Sequence, residues 1–320
     1  MDRSYGDGMS ISVELPFIPP WDWSQFHRYF SLRLMPGVEA LTADRYARTL
    51  SVDGRVGWFS VRPGPDALEL SISPSLCQAA PYVTAQVRRM FDLDMDPAVL
   101  TRHFAADPQL GPLVAATPGL RLPNAFDPFE VAVRAIVGQQ VSVKAAVTIT
   151  RRLIERLGEP VPAAPGIGIP ELRWLFPTAQ AIANASLAAI GMPGKRVAAL
   201  QHFAGAVAEG ALSLAVDRGA EDLIERLCRL PGIGPWTAQY IALRGFAEAD
   251  AFPASDLGLL KAPVWGETGL SAKALGQRAE AWRPWRAYAA MHLWQAYADS
   301  EASRARVKAV GCALGREPVR

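Results

Sequence analysis

The chain has 320 residues, half of them apolar, which is enough to bury more than one domain core. Its 33 basic and 31 acidic residues leave a net charge of +2, so no strongly basic surface announces a nucleic-acid partner. No apolar run approaches the roughly 18 residues of a membrane span, and the odd, scattered Cys77, Cys228 and Cys312 exclude a disulfide framework or four-thiolate metal site, leaving buried, reduced thiols as the expectation.

Residues 1–12 read as a flexible start. MDRSYGDGMSISVELPF has no basic segment followed by an apolar one, so no secretory signal and a cytoplasmic location are expected. Residues 13–115 read as an α+β unit. DWSQFHRYFSLRL (22–34) has helical periodicity. RYARTLSV (45–52) and VGWFSVR (56–62) flank Asp53-Gly54-Arg55, a hairpin signal because Asp and Gly tolerate the backbone of a tight turn. ALELSIS (67–73) alternates Leu68, Leu70 and Ile72 with polar residues, as a half-buried strand does, and PYVTAQVRRMFDL (81–93) returns to a helical period.

From about residue 96 strand signals stop, and 116–300 reads as a helical unit followed by a tail at 301–320. DPFEVAVRAIVGQQVSVKAAVTITRRLIERLG (127–158) is a long helical stretch interrupted near Gly138. APGIGIPEL (164–172) is a loop, and TAQAIANAS, KRVAALQHFAGAVAEG and EDLIERLCRL are amphipathic helices. The stretch from Lys273 carries Arg278, Arg283, Arg286, Arg304, Arg306, Lys308, Arg316 and Arg320 against only Glu280, Asp299, Glu301 and Glu317, which fits either a solvated helix face or a phosphate-facing one.

LPGIGPWTAQY (230–240) carries the first chemistry. Its glycines can adopt positive φ and admit a foreign backbone, and Pro235 suits the first position of a helix. Gly232, Ile233 and Gly234, with Thr237 in the first helical turn, then offer amides to an anion. This helix–PGIG–helix pattern resembles the helix-hairpin-helix motif of DNA-binding proteins, with the hairpin at 221–246. Trp236 and Tyr240, spaced i and i+4, share a face. That face continues to Leu243 as a core stripe, or it stacks on an extruded base; both readings stand. Asp256, in DAFPASDLGLLK (250–261), occupies a helix N-cap position, and capping alone would explain it.

PPWDWSQF, YARTLSV, PGLRLPNAFDPFEVAVRAIVGQQVS, LPGIGPWTAQYIALRGF and WRPWRAYAAMHLW follow one another across roughly residues 15–300. In this order they resemble successive blocks of DNA-3-methyladenine glycosylase II, the AlkA-type alkyl-base glycosylases. The resemblance implies a TATA-binding-protein-like antiparallel sheet followed by an all-helical glycosylase core. It places the catalytic aspartate on Asp256 and pocket aromatics on Trp236, Tyr240 and Trp294. A further pocket tyrosine of the family falls on Leu257, which implies a different pocket shape or base preference. The residue that wedges into the duplex, apolar in some members, falls on Gln140 of VGQQVS; a glutamine can also hydrogen-bond to the orphaned partner base.

In relatives that cut the strand, a lysine nucleophile stands where this chain has Trp236. An indole forms no Schiff base, so the expectation is base removal that leaves an abasic site. Alkylation at purine N3 or N7 makes the base a cationic leaving group that departs neutral. The developing positive charge on the sugar then needs an anion, Asp256, which can also orient or deprotonate water. The aromatic faces would attract a cationic base by about 0.5–2 kcal/mol each, too little for narrow selection. Double-stranded DNA carrying alkylated bases is the implied partner and a monomer the implied state. No cofactor or catalytic metal is implied, only a structural monovalent cation at the hairpin carbonyls. A non-catalytic DNA-binding module would place no demand on Asp256. A bifunctional oxidised-base glycosylase is opposed by Trp236 and by too few cysteines for an iron–sulfur cluster. A fused alkyltransferase is opposed by a chain that starts close to its sheet.

Overall fold

Five strands form one antiparallel sheet in the order β1-β5-β4-β3-β2: β1 (Ile11–Pro16), β2 (Glu39–Thr42), β3 (Arg45–Val52), β4 (Arg55–Pro63) and β5 (Ala67–Ile72). The computed structural model describes residues 10–161 and 169–314, with side chains to residue 303. The start of the expected flexible segment, most of the expected loop at 164–172 and residues 315–320 of the expected tail lie outside the described residues. The β3–β4 turn is the one that Asp53-Gly54 calls for: Asp53 has φ 50° and Gly54 φ 75°, and Val52 pairs with Arg55. Leu68, Leu70 and Ile72 of β5 are buried together with Tyr46, Phe59 and Val61. They pack on Phe26 and Phe30 of α1 (Trp23–Ser31) and on Val83 and Val87 of α2 (Ala80–Met90). Strand β1 begins at Ile11, inside the stretch expected to be flexible.

Eleven further α-helices follow among the described residues. The break expected near Gly138 separates α5 (Pro128–Val137) from α6 (Val143–Leu157). These two pack with α7 (Ala179–Asn184), α8 (Gly194–Ala208), α9 (Ala220–Cys228) and the first turns of α10 (Pro235–Phe246) around one apolar core. A second core joins α3 (Pro97–Phe104) and α4 (Leu110–Ala116) to α11 (Leu257–Leu260), α12 (Ala272–Ala279) and α13 (Arg286–Leu314). Residues 95–122 therefore pack with the C-terminal helices, not with the sheet, so the change of core precedes the boundary expected at 115. Helix α13 runs on through the first part of the expected tail.

Buried polar contacts join the sheet unit to the helices. Arg48 of β3 donates to Glu130 of α5 at 2.5 Å, and both are buried. The Gln25 amide donates to the Arg121 carbonyl (2.9 Å) and accepts from the Arg121 amide (3.0 Å). Arg134 donates to the Arg33 carbonyl at 2.7 Å, which fixes the end of α1 over α5.

Two expectations change at this level. Cys77 is exposed and Cys228 only partly buried, so neither is a sealed core thiol; the side chain of Cys312 lies outside the described ones. Arg278 pairs with Asp107, and Arg283 and Arg286 pair with Asp250. These three guanidiniums are engaged within the fold; the side chains of Arg304, Arg306, Lys308, Arg316 and Arg320, further along the same stretch, lie outside the described ones. No helix among the described residues is long and apolar enough to cross a membrane.

Candidate active site

The hairpin turn uses its two glycines differently. Gly232 has φ 82°, and a Cβ there would stand 2.5 Å from the Ala199 Cβ. Gly234 caps α10 in ordinary extended backbone, φ −95°, so only one glycine needs the left-handed region. Nothing lies within 4 Å of where the Gly234 Cβ would be, which leaves the turn open to a close approach. Two of the expected DNA contacts bury their side chains, and of the two only Thr237 keeps a free amide. Ile233 is 4% exposed and its amide donates to the Leu230 carbonyl at 3.2 Å. Thr237 is 3% exposed, and its hydroxyl accepts from the Gln139 amide at 3.0 Å. Among the described residues the backbone amides of Gly234, Trp236 and Thr237 donate to nothing, as the first turn of a helix requires, and they remain for an anion.

The Gln139 Nε2 also donates to the Gly232 carbonyl at 2.9 Å, tying the loop after α5 to the hairpin. Gln140, next in that loop, is exposed with φ 56°. The hairpin carbonyls are neutral donors, and those of Leu230 and Gly232 each keep a second lone pair, which fits a monovalent ion. Among the described residues no group of three His, Cys, Asp or Glu stands together as a metal site.

Helix α10 aims its aromatic face at Asp256. Trp236 stacks on Tyr240 with ring centres 5.4 Å apart, and Tyr240 meets Trp294 of α13 nearly edge-on at 6.5 Å. Asp256 does cap α11, its Oδ1 accepting from the amides of Gly258 (2.9 Å) and Leu259 (3.3 Å). It also accepts two indole N–H groups, Trp294 Nε1 on Oδ1 at 2.8 Å and Trp236 Nε1 on Oδ2 at 2.9 Å. Trp294, placed near Asp256 by resemblance alone, thus touches it. The loop before α11 is held in turn by the Phe252 amide, which donates to Gln239 at 2.8 Å.

These groups line a cavity of about 520 Å³ that opens between α1, α5, α6, α10 and α13. Its walls include Tyr29, Arg33, Arg134 and Arg244, none of which was expected from the sequence. The available signal was a lone arginine inside an otherwise apolar helix, as in VAVRAIV and YIALRGF. Leu257 is absent from the walls and 59% exposed; the short turn of α11 directs it outward, while Gly258 and Tyr297 line the cavity instead.

The cavity is richer in positive charge than its aromatic residues suggested. Arg28, Arg33, Arg134 and Arg244 line it, against Asp256 and Glu301. Arg244, 3% exposed, lies over the Trp294 ring at 5.1 Å and over Tyr29 at 4.7 Å, and Arg33 lies over Tyr29 at 4.4 Å. A guanidinium thus already uses one face expected to attract a cationic base, that of Trp294, and the positive lining opposes such a charge. Burial raises the Tyr29 hydroxyl above its ordinary pKa. Burial acts the same way on Tyr240, but Arg33, Arg244 and Arg134 outweigh it and hold that hydroxyl below the usual value.

Residues 12–127 match the AlkA N-terminal domain, and residues 133–262 match the HhH-GPD superfamily base excision DNA repair protein. The chain is 37% identical over 281 residues to DNA-3-methyladenine glycosylase 2 of Escherichia coli, covering 86% of this chain and 94% of that protein. It is 36% identical over 289 residues to a Mycobacterium tuberculosis protein named "Probable bifunctional transcriptional activator/DNA repair enzyme AlkA", covering 89% of this chain but 57% of that protein's length. The 3-methyladenine DNA-glycosylase structure from Archaeoglobus fulgidus superposes with a TM-score of 0.72 at 20% identity, covering 90% of this chain and 98% of that one, which shows a common fold.

Proposed function

We infer the activity from one premise: the chain belongs to the AlkA-type DNA-3-methyladenine glycosylases of the HhH-GPD superfamily. It is a DNA glycosylase that excises alkylated bases, 3-methyladenine and 7-methylguanine among them, and leaves an abasic site for base excision repair. The reading makes it a monomer acting on double-stranded DNA in the cytoplasm.

The amides at the start of α10 hold a backbone phosphate, and Gln140 fills the stack where the damaged nucleotide leaves. The extruded base enters the cavity, whose 520 Å³ lies within the range of small-molecule sites. Asp256 faces the sugar and stabilises the positive charge that grows there as the glycosidic bond breaks. Water then adds to the sugar and gives up a proton to Asp256. The alkylated base leaves neutral, so its weakened bond supplies most of the selectivity, and the positive cavity lining adds no attraction for its charge. With Trp236 in the position of the strand-cutting lysine, no amine stands there to attack the sugar.

The single observation that carries the reading is a carboxylate in a cavity wall, gripped by two indoles. A non-catalytic DNA-binding module gives that arrangement no purpose. The test incubates the chain with duplex DNA containing 7-methylguanine and separates free base from cut strand. Base release with strand breaks appearing only after alkali is expected. Breaks without alkali contradict the monofunctional assignment, and no release contradicts the activity.

A further inference from the structure

The two oxygens of Asp256 are loaded unequally. Oδ1 accepts from three donors, the Gly258 and Leu259 amides and Trp294 Nε1, whereas Oδ2 accepts from Trp236 Nε1 alone. A carboxylate offers about four lone-pair sites, two on each oxygen. Oδ1 is therefore saturated, whereas Oδ2 keeps an open lone pair on a residue that lines the cavity.

Stacking on a base would not require both indole N–H groups to converge on one carboxylate. The surroundings hold them there. One face of Trp236 is covered by Tyr240, which also braces Trp294 edge-on, so a single ring supports both indoles. Gly258 leaves the space they need: a Cβ there would lie 3.1 Å from Trp294 Cδ1 and 3.2 Å from Asp256 Oδ1. The chemistry of the donors matters as well. An ammonium or guanidinium bonded directly to Asp256 would neutralise more of the charge required by the sugar than the arginines elsewhere in the lining do, whereas an indole N–H directs the carboxylate without adding a charge.

We propose that Trp236 and Trp294 are positioning residues whose indole N–H groups clamp Asp256 and present Oδ2 to the sugar as the base departs. The proposal rests on the glycosylase reading and deepens it. It gives Trp236 a task of its own in the lysine position, besides the absence of an amine.

The test replaces Trp236, and separately Trp294, in the full chain with 3-benzothienylalanine, which keeps the bicyclic shape but carries sulfur in place of N–H. Thermal melts verify that each variant folds. Two readouts follow: single-turnover release of 7-methylguanine, and affinity for duplexes holding a protonated pyrrolidine or a neutral tetrahydrofuran at the abasic position. The expected result is release slowed roughly tenfold or more, the weight of one hydrogen bond to a charged group, with KM unchanged. The preference for pyrrolidine over tetrahydrofuran shrinks to the same extent. Trp236→Phe should behave as the analogue does. If the unaltered chain releases base and the variants match it in rate and preference, the clamp is overturned. If the unaltered chain releases no base, the glycosylase reading fails, and the clamp with it.

Discussion

Gly258 shows how closely the residues around Asp256 are fitted. It is the second residue of α11, where alanine would ordinarily gain helix stability of up to about 1 kcal/mol. Here the added Cβ would press on Trp294 and on Asp256 Oδ1 together. Gly258→Ala is expected to leave the melting temperature almost unchanged and to slow base release several-fold, read by melting and single-turnover assays side by side. A variant with the original rate would show that the indole has room to yield. At this scale the sequence was legible where chemistry is local. Trp236, Tyr240 and Asp256 stand out in short motifs whose local reading left core packing and capping open, and resemblance gave them, with Trp294, their roles. Tyr29, Arg33, Arg134 and Arg244 were not legible, because α1, α5 and α10 bring them to the cavity from distant parts of the chain. Leu257 was misplaced because a position in a motif does not say which way a four-residue turn points its side chain.

The hairpin, α10 and the loop after α5 work as one element, since Gln139 bonds both the Gly232 carbonyl and the Thr237 hydroxyl. Their joint geometry depends on Gly232. An alanine there meets Ala199 and must hold a left-handed backbone, a strain of about 1–2 kcal/mol before any clash. Gly232→Ala should lower the denaturant midpoint and weaken binding to abasic-site DNA, whereas Gly234→Ala, with open space around it, should affect binding more than stability. Equal stability loss in the two variants would contradict this division. Elements with strong local signals were legible: the Asp53-Gly54 hairpin, the break near Gly138 and the amphipathic helices. Strands β1 and β2 were not. Ile11 pairs with Ile72, far along the chain, and β2 has only four residues, so the sheet is what makes them strands.

Three packed units meet around the cavity, and the molecule depends on their staying in register. The buried Arg48–Glu130 pair spans the sheet and α5, the helix that carries Arg134 and leads to Gln140. A buried ion pair of this kind specifies an arrangement more than it adds stability. Arg48→Met strands the Glu130 carboxylate and should cost about 3–5 kcal/mol in urea unfolding, while Arg48→Met with Glu130→Leu should recover most of it. Additive losses in the double variant would mean that the two side chains act separately. The order of an α+β unit before a helical one was legible from where strand signals stop. The passage of residues 95–122 into the second helical core was not, because helical periodicity marks an apolar face without naming its partner. Residue, element and unit converge to aim one carboxylate at a sugar. The most direct test of that aim is single-turnover release of 7-methylguanine from duplex DNA by the unaltered chain and by Asp256→Asn, which keeps the shape and loses the charge. Release by the first is expected, with a loss of at least about a hundredfold in the second and DNA binding retained. Release by Asp256→Asn at the original rate would contradict this role of Asp256.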